Sequence, residues 1–144
     1  MESGFLLPDV EDDDAAPFWE GAARGELLVQ ECAQCGMRRM PPRPMCPACR
    51  SIDSTWVPTS GRGTIWSFIV PHPPLLPAYA ELAPYNAIVV ALEEDPELRF
   101  VGNLVVSADG PINEIDPASI AIGEPVRVVF TQVEDVTLPR WVRA

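Results

Sequence analysis

The chain has no lysine and only one histidine, His72, among its 144 residues. A serine or cysteine nucleophile that needs an imidazole base would therefore have to use His72, which lies in a proline-rich segment. No Gly-x-Ser-x-Gly sequence is present to hold a nucleophilic serine, and no glycine-rich phosphate loop with its lysine occurs. The sequence lacks the parts of an independent enzyme, so we predict a protein without catalytic residues.

Long apolar runs are also missing, because no segment approaches the roughly 20 residues that cross a bilayer. The first residues have no positive stretch ahead of an apolar one, as a secretory signal would. We therefore expect a cytoplasmic protein with no membrane partner. The net charge of −11 opposes nucleic-acid binding, since phosphate neutralisation supplies most non-specific affinity.

Cysteine is scarce but regularly placed, in two Cys-x2-Cys pairs ten residues apart: Cys32, Cys35, Cys46 and Cys49. Two such pairs can bring four thiolates into one tetrahedron, which is the preferred arrangement of a structural Zn²⁺. Gly36 after the first pair suits a turn with positive φ. Iron in a rubredoxin-like site and two disulfides are the alternatives. The absence of a secretory signal disfavours disulfides.

The pattern of apolar residues predicts a mainly β protein. A helix over 15–24, with Asp14 as its N-cap, precedes strands over 26–31 and 52–57 that flank the cysteines. Five further strands, over 63–70, 86–93, 99–106, 125–133 and 136–142, with a helical turn at 116–119, predict a partly open OB-fold barrel. We divide the chain into a flexible acidic lead-in (1–14), the helix and zinc ribbon (15–58) and the barrel (59–144).

Strict alternation in the first barrel strand predicts its two faces. One face would carry Trp66, Phe68 and Val70, and the other Ile65, Ser67 and Ile69.

The most unusual connection, residues 71–85, is rich in proline and carries large apolar side chains. Loops of this length in a compact domain are usually functional or disordered, and the composition is not that of a disordered linker. It therefore indicates a contact surface, with packing over the barrel end as the alternative. Its candidate contact residues are His72, Leu75, Leu76, Tyr79 and Tyr85. Arginines of the ribbon form a local basic patch, which is either solvated charge or a contact for a phosphate or an acidic partner: Arg38, Arg39 and Arg43.

Several short sequences follow one another in a recognisable order. They are Phe18-Trp19-Glu20, Gly25-Glu26-Leu27, the two cysteine pairs and Gly61-Arg62-Gly63-Thr64-Ile65. This order resembles the domain of unknown function 35 family, whose members have an N-terminal helix, a rubredoxin-like zinc ribbon and an OB-fold.

The resemblance implies a non-catalytic accessory subunit in a hetero-oligomer with a thiolase-like enzyme. That enzyme would be a thiolase, an acyltransferase or a lipid-transfer-protein-like aldolase, the last in steroid side-chain degradation. The subunit would help to form the acyl-CoA site, with a CoA thioester as a ligand shared with the partner. Two other classes remain open on the residues: a nucleic-acid-binding ribbon and OB module, and an iron redox protein.

Overall fold

The computed structural model describes residues 4–144. Two helices and eight strands follow in chain order: α1 (Ala16–Ala23), β1 (Leu28–Cys32), β2 (Arg38–Arg39), β3 (Ser54–Pro58), β4 (Arg62–Ile69), α2 (Pro77–Ala80), β5 (Ala87–Leu92), β6 (Arg99–Gly102), β7 (Pro125–Val133) and β8 (Val136–Arg143). A 3-10 turn, Pro117–Ser119, precedes β7 where the sequence predicts a helical turn, and the Asp116 side chain caps it by accepting from the Ala118 N–H. None of the helices in the described residues is long and apolar enough to cross a membrane.

Helix α1 lies where the sequence predicts it but begins differently. Its N-cap is Ala15, which makes no side-chain cap, so the predicted capping by Asp14 is wrong. The Asp12 carboxylate accepts from the Asp14 N–H, and the Asp12 carbonyl accepts from the N–H groups of Ala15 and Ala16 in the turn before the helix. Gly25, with φ of 81°, follows the C-cap residue Arg24 and ends the helix, because a left-handed residue cannot continue it.

Two antiparallel sheets make up the rest of the described chain. The ribbon sheet has the strand order β2-β1-β3, and the larger sheet has the order β6-β5-β4-β7-β8. The larger sheet curls until its ends meet in a parallel bridge between Leu104 and Trp141. Hydrogen bonds from Val105 N–H to the Trp141 carbonyl and from Trp141 N–H to the Asn103 carbonyl hold this seam. The predicted fold class is confirmed: a mainly β chain with an N-terminal helix, a four-cysteine ribbon and a curled five-stranded sheet.

The predicted faces of β4 are wrong beyond its midpoint. The pairing of β4 with β5 shifts register between Ile65 and Ser67, which places a bulge at Trp66. A bulge adds one residue and reverses the later alternation. Ile65 and Phe68 therefore both pack against the main core, while Trp66 is half exposed and stacks under the Arg99 guanidinium at 3.8 Å.

One main core joins the ribbon end of the chain to the barrel. Phe18 of α1, Leu27 and Val29 share a cluster of buried residues with Ile65 and Trp141 of the barrel. The ribbon is thus fixed to the barrel by apolar burial as well as by covalent linkage. The domain boundaries at residues 14/15 and 58/59 stay predictions.

Candidate metal centre and partner surface

The four cysteines converge from two similar turns. Cys32 ends β1 and Cys35 follows in the next turn, while Cys46 and Cys49 occupy the second turn. All four sulfur atoms lie within 4.8 Å of one another. Two sulfur pairs join different turns, Cys32 with Cys49 at 3.5 Å and Cys35 with Cys46 at 3.6 Å.

Each turn contains a residue in the left-handed region directly after its second cysteine. Gly36 has φ of 77°, as the sequence predicts, and its N–H donates to the Cys32 carbonyl. Arg50 occupies the same place after Cys49 with φ of 66°, and its N–H donates to the Cys46 carbonyl. The positive φ of Arg50 was not predicted, because no sequence pattern indicates an arginine in the left-handed region.

The sulfur positions fit a tetrahedral zinc ion. A Zn–S bond of about 2.3 Å separates the sulfurs of a tetrahedron by about 3.8 Å. The cysteines are free thiols, and two sulfur contacts cross between the turns at distances well beyond an S–S bond. The geometry therefore favours the predicted closed four-sulfur metal site over the disulfide alternative.

Backbone amides already favour thiolates at this site. The Cys35 N–H points at the Cys32 sulfur and lowers the pKa of that thiol to about 6. The Cys49 N–H is the main cause of a lowered pKa at Cys46. The pKa of Cys35 is raised to about 11; the N–H of Met37 lowers it, but burial and the other three sulfurs outweigh that bond. Four adjacent sulfurs oppose joint ionisation, and a bound cation relieves that opposition.

The loop predicted as a contact surface divides into exposed and packed residues. His72 is exposed and makes no hydrogen bond with any residue that the structure describes, and Leu76 is 53% exposed. Leu75 and Tyr79 are half-buried, and Tyr85 is buried in a second apolar cluster that includes Val142 of β8. The exposed part is thus narrower than predicted, because Tyr85 anchors the loop to the barrel.

The lead-in packs on this loop. The Phe5 ring lies 5.1 Å from the Tyr79 ring, and the Leu6 N–H donates to the Tyr79 hydroxyl at 3.0 Å. The ring centroids of Tyr79 and Tyr85 are 6.1 Å apart. Residues 1–3 of the predicted flexible lead-in lie outside the described residues.

The ribbon arginines are not equivalent. Arg38 is exposed and pairs with Glu31 at 2.9 Å, and Arg43 is exposed. Arg39, which the sequence placed on the same surface, is buried and donates from Nη2 to the Arg43 carbonyl at 2.8 Å. The Gln30 side chain accepts from the Arg43 N–H, so Arg39 and Gln30 together position the segment before Cys46. The prediction of Arg39 as a surface residue is therefore wrong.

Sequence reasoning missed an apolar groove of about 500 Å³ where α1, the ribbon and the barrel edge meet. Trp19, Met40, Phe100, Leu138 and Arg99 are among its lining residues. The bulky pair at positions 18 and 19 was its only sequence signal, since the other walls come from three separate segments: the residues after β2, β6 and β8.

A four-cysteine zinc ribbon followed by a five-stranded OB-fold defines the class of protein. Residues 19–53 match the profile described as the ChsH2 rubredoxin-like zinc ribbon domain, and residues 56–131 match the ChsH2 C-terminal OB-fold domain. The chain belongs to the DUF35 family and carries both ChsH2 domains, which confirms the resemblance drawn from its motifs.

The names of two related proteins are consistent with this family. A DUF35 domain-containing scaffold protein of Methanothermobacter thermautotrophicus is 35% identical over 113 residues, which cover 78% of this chain and 77% of that protein. The 3-oxo-4,17-pregnadiene-20-carboxyl-CoA hydratase alpha subunit of Mycobacterium tuberculosis is 37% identical over 128 residues. That match covers 89% of this chain, and the chain spans 37% of the hydratase subunit's length.

Solved structures show the same fold. A chain of the Ltp2-ChsH2(DUF35) aldolase superposes with a TM-score of 0.80 at 36% identity, covering 95% of this chain and 98% of that one. A DUF35 protein of unknown function from Sulfolobus solfataricus superposes with a TM-score of 0.58 at 10% identity and supports the fold alone.

Proposed function

We propose that this chain is a non-catalytic accessory subunit that binds a thiolase-superfamily enzyme and helps to form its acyl-CoA site. The observation that carries this proposal is the likeness to a chain of the Ltp2-ChsH2(DUF35) aldolase, which extends over nearly the whole of both chains. The scaffold name of the methanogen relative supports the same role.

The same likeness supports an aldolase as the partner enzyme in preference to a thiolase or an acyltransferase. The pregnadiene-carboxyl-CoA name of the mycobacterial relative supports a place in steroid side-chain degradation. Its hydratase activity is not transferred to this chain, which matches little more than a third of that subunit. Zinc would act structurally, because four cysteines fill its coordination shell.

The proposed contact surface is the exposed part of the 71–85 loop. Leu76 and His72 would face the partner, while Tyr79 and Tyr85 hold the loop in place from behind. The prolines of the loop restrict its backbone before binding, so little ordering cost remains. The exposed Arg38 and Arg43 would contact CoA phosphates or acidic partner residues, with the CoA thioester shared between the subunits.

The net charge of −11 supports the expectation that nucleic acid is not a partner. The cytoplasmic location stays a prediction from the sequence.

Reconstitution tests the proposed role. Proteins that co-purify with this chain at native levels are identified, and the thiolase-like enzyme among them is produced alone and with the chain. We expect no acyl-CoA turnover by the chain alone and full turnover only when both proteins are present. Thioester cleavage or carbon–carbon bond chemistry by the isolated chain, abolished by His72→Ala, would contradict the accessory role.

The substitution Leu76→Ser tests the loop surface. Burial of an exposed leucine at an interface contributes about 1.5–3 kcal/mol, so its loss should weaken the complex by about 10–100-fold. Ile122→Ser is the matched control, because Ile122 is 67% exposed and lies in the connection before β7. Titration calorimetry measures both affinities. Equal affinities of the two variants for the partner would show that Leu76 does not lie in the interface.

A further inference from the structure

One buried cation in the barrel has no ion-pair partner and a guanidinium nitrogen without a hydrogen bond, among the residues that the structure describes. Arg140 is 7% exposed, and its Nε atom makes no hydrogen bond with any residue that the structure describes. Within residues 4–144 no carboxylate forms an ion pair with it either. Side chains alternate along β8, so Arg140 lies on the face opposite the core residue Trp141 and on the same face as Val142.

This face of β8 lies beneath the 71–85 loop. Val142 packs there with Tyr85 and Tyr79, and Tyr79 is near enough to influence the pKa of Arg140. Burial lowers the pKa of Arg140, and the hydroxyl of Tyr79 opposes that effect. Arg140 also borders the larger groove beside α1.

A cavity of about 370 Å³ adjoins the arginine. Phe5 and Leu82 line it from the lead-in and the loop, and Ile112 and Thr131 line it from the barrel side. Asp109 lines the same cavity but makes no ion pair with Arg140. The walls are mostly apolar and converge on a single cation.

A buried guanidinium nitrogen without a partner is costly, because it has lost water and gained no hydrogen bond in return. Arginine stays protonated in proteins, so the cost cannot be avoided by loss of the proton. Buried polar atoms are nearly always satisfied in folded proteins, which makes each exception a candidate ligand site.

We propose that Arg140 anchors a carboxylate-binding pocket beneath the 71–85 loop. The planar guanidinium matches a carboxylate with two parallel hydrogen bonds. One cation in apolar walls, with Asp109 close by, suits a monoanion on a short apolar stem better than a doubly charged phosphate. The carboxylate comes from an acidic side chain of a partner subunit or from a small organic acid. The pocket is formed by this chain alone, so the proposal does not depend on the accessory role.

Thermal unfolding of the isolated chain with sodium butyrate tests the pocket. Sodium chloride of equal ionic strength and butanol are the reference additives, since butanol has the apolar stem without the charge. We expect butyrate to raise the Tm of the native chain by about 2–4 °C over both references. In Arg140→Met this shift should vanish, and the Tm without butyrate should not fall, because an unpaired buried charge has been removed.

Arg127→Met is the matched control, because Arg127 is an exposed arginine on the neighbouring strand β7, and it should keep the butyrate shift. Arg140→Lys retains the charge without the planar fork and should lose most of the shift. An equal shift in the native chain and in both Arg140 variants would overturn the proposal.

A second outcome that would overturn it involves Asp109. If Asp109 pairs with Arg140 in solution, Asp109→Asn should lower the Tm, whereas the proposed pocket predicts an unchanged Tm and a retained butyrate shift. Repeating the butyrate measurement with the partner enzyme bound identifies the source of the carboxylate. Loss of the butyrate shift in the complex assigns it to the partner, and its persistence assigns it to an organic acid.

Discussion

The substitution Cys46→Ser measures how far the metal holds the ribbon together. Within residues 33–53 only Arg39 and Cys46 are buried, so this segment has almost no core of its own. Burial of one such side chain contributes about 1.5–3 kcal/mol at most, whereas a structural Zn²⁺ contributes about 10–16 kcal/mol of apparent folding free energy. Because a serine hydroxyl is not ionised at neutral pH, we expect Cys46→Ser to release zinc and unfold residues 33–53.

Metal analysis and trypsin give separate measurements of this effect. The native chain should contain one zinc ion and no iron, and should be colourless. The chain has no lysine, so trypsin cleaves it only after arginine, and the ribbon offers Arg38, Arg39 and Arg50. Arg43 precedes proline and resists cleavage. In Cys46→Ser, cleavage at the three ribbon sites should accelerate by at least tenfold, while the barrel stays intact as a fragment.

Met45→Ser is the matched control, because Met45 is the exposed neighbour of Cys46 and contributes no ligand. It should retain zinc and the native rate of cleavage. The barrel should survive in both variants, since Trp141 and its neighbours form a core that does not include the cysteine turns. If the zinc-free Cys46→Ser protein resists trypsin at the ribbon as well as the control does, the metal is not what orders this segment.

Two further predictions concern the barrel. Asn86 is fully buried and joins the start of β5 to the barrel seam: its side chain accepts from the Leu104 N–H (2.7 Å) and donates to the Leu104 carbonyl (3.0 Å). Asn86→Ala should lower the free energy of unfolding, measured in urea, by about 2–5 kcal/mol. A decrease below about 1 kcal/mol would show that water replaces both bonds. Burial raises the pKa of Glu94, but bonds from the Ser60 N–H and hydroxyl outweigh it and the net pKa is lowered. The ionised carboxylate therefore stabilises the fold above the unfolded-state pKa, and this contribution is lost as the pH falls through the lower folded pKa. The Tm difference between the native chain and Glu94→Gln should be present at neutral pH and disappear in acid, and a difference independent of pH would contradict this assignment.

The elements and the metal centre could be predicted because their causes are local in the chain. Two Cys-x2-Cys pairs determine a four-sulfur site wherever the chain turns, and Gly25 and Gly36 mark the positions where φ becomes positive. Alternating apolar residues and proline placed β7 at its observed bounds. The family motifs, which are also local, led to the correct family.

The positions of individual side chains depended on contacts between distant parts of the chain. The bulge at Trp66 arises from pairing with β5, so alternation within β4 alone gave the wrong face. Arg39 and Tyr85 carry polar groups that usually lie at the surface, yet packing against other elements buries them. The unpartnered Arg140 depends on β8 and on the 71–85 loop that covers it. The sequence by itself therefore determined the fold class, the metal ligands and the family, since these follow from spacing and periodicity. Only the tertiary structure decided which residues are accessible, because burial depends on what the rest of the chain places over each side chain.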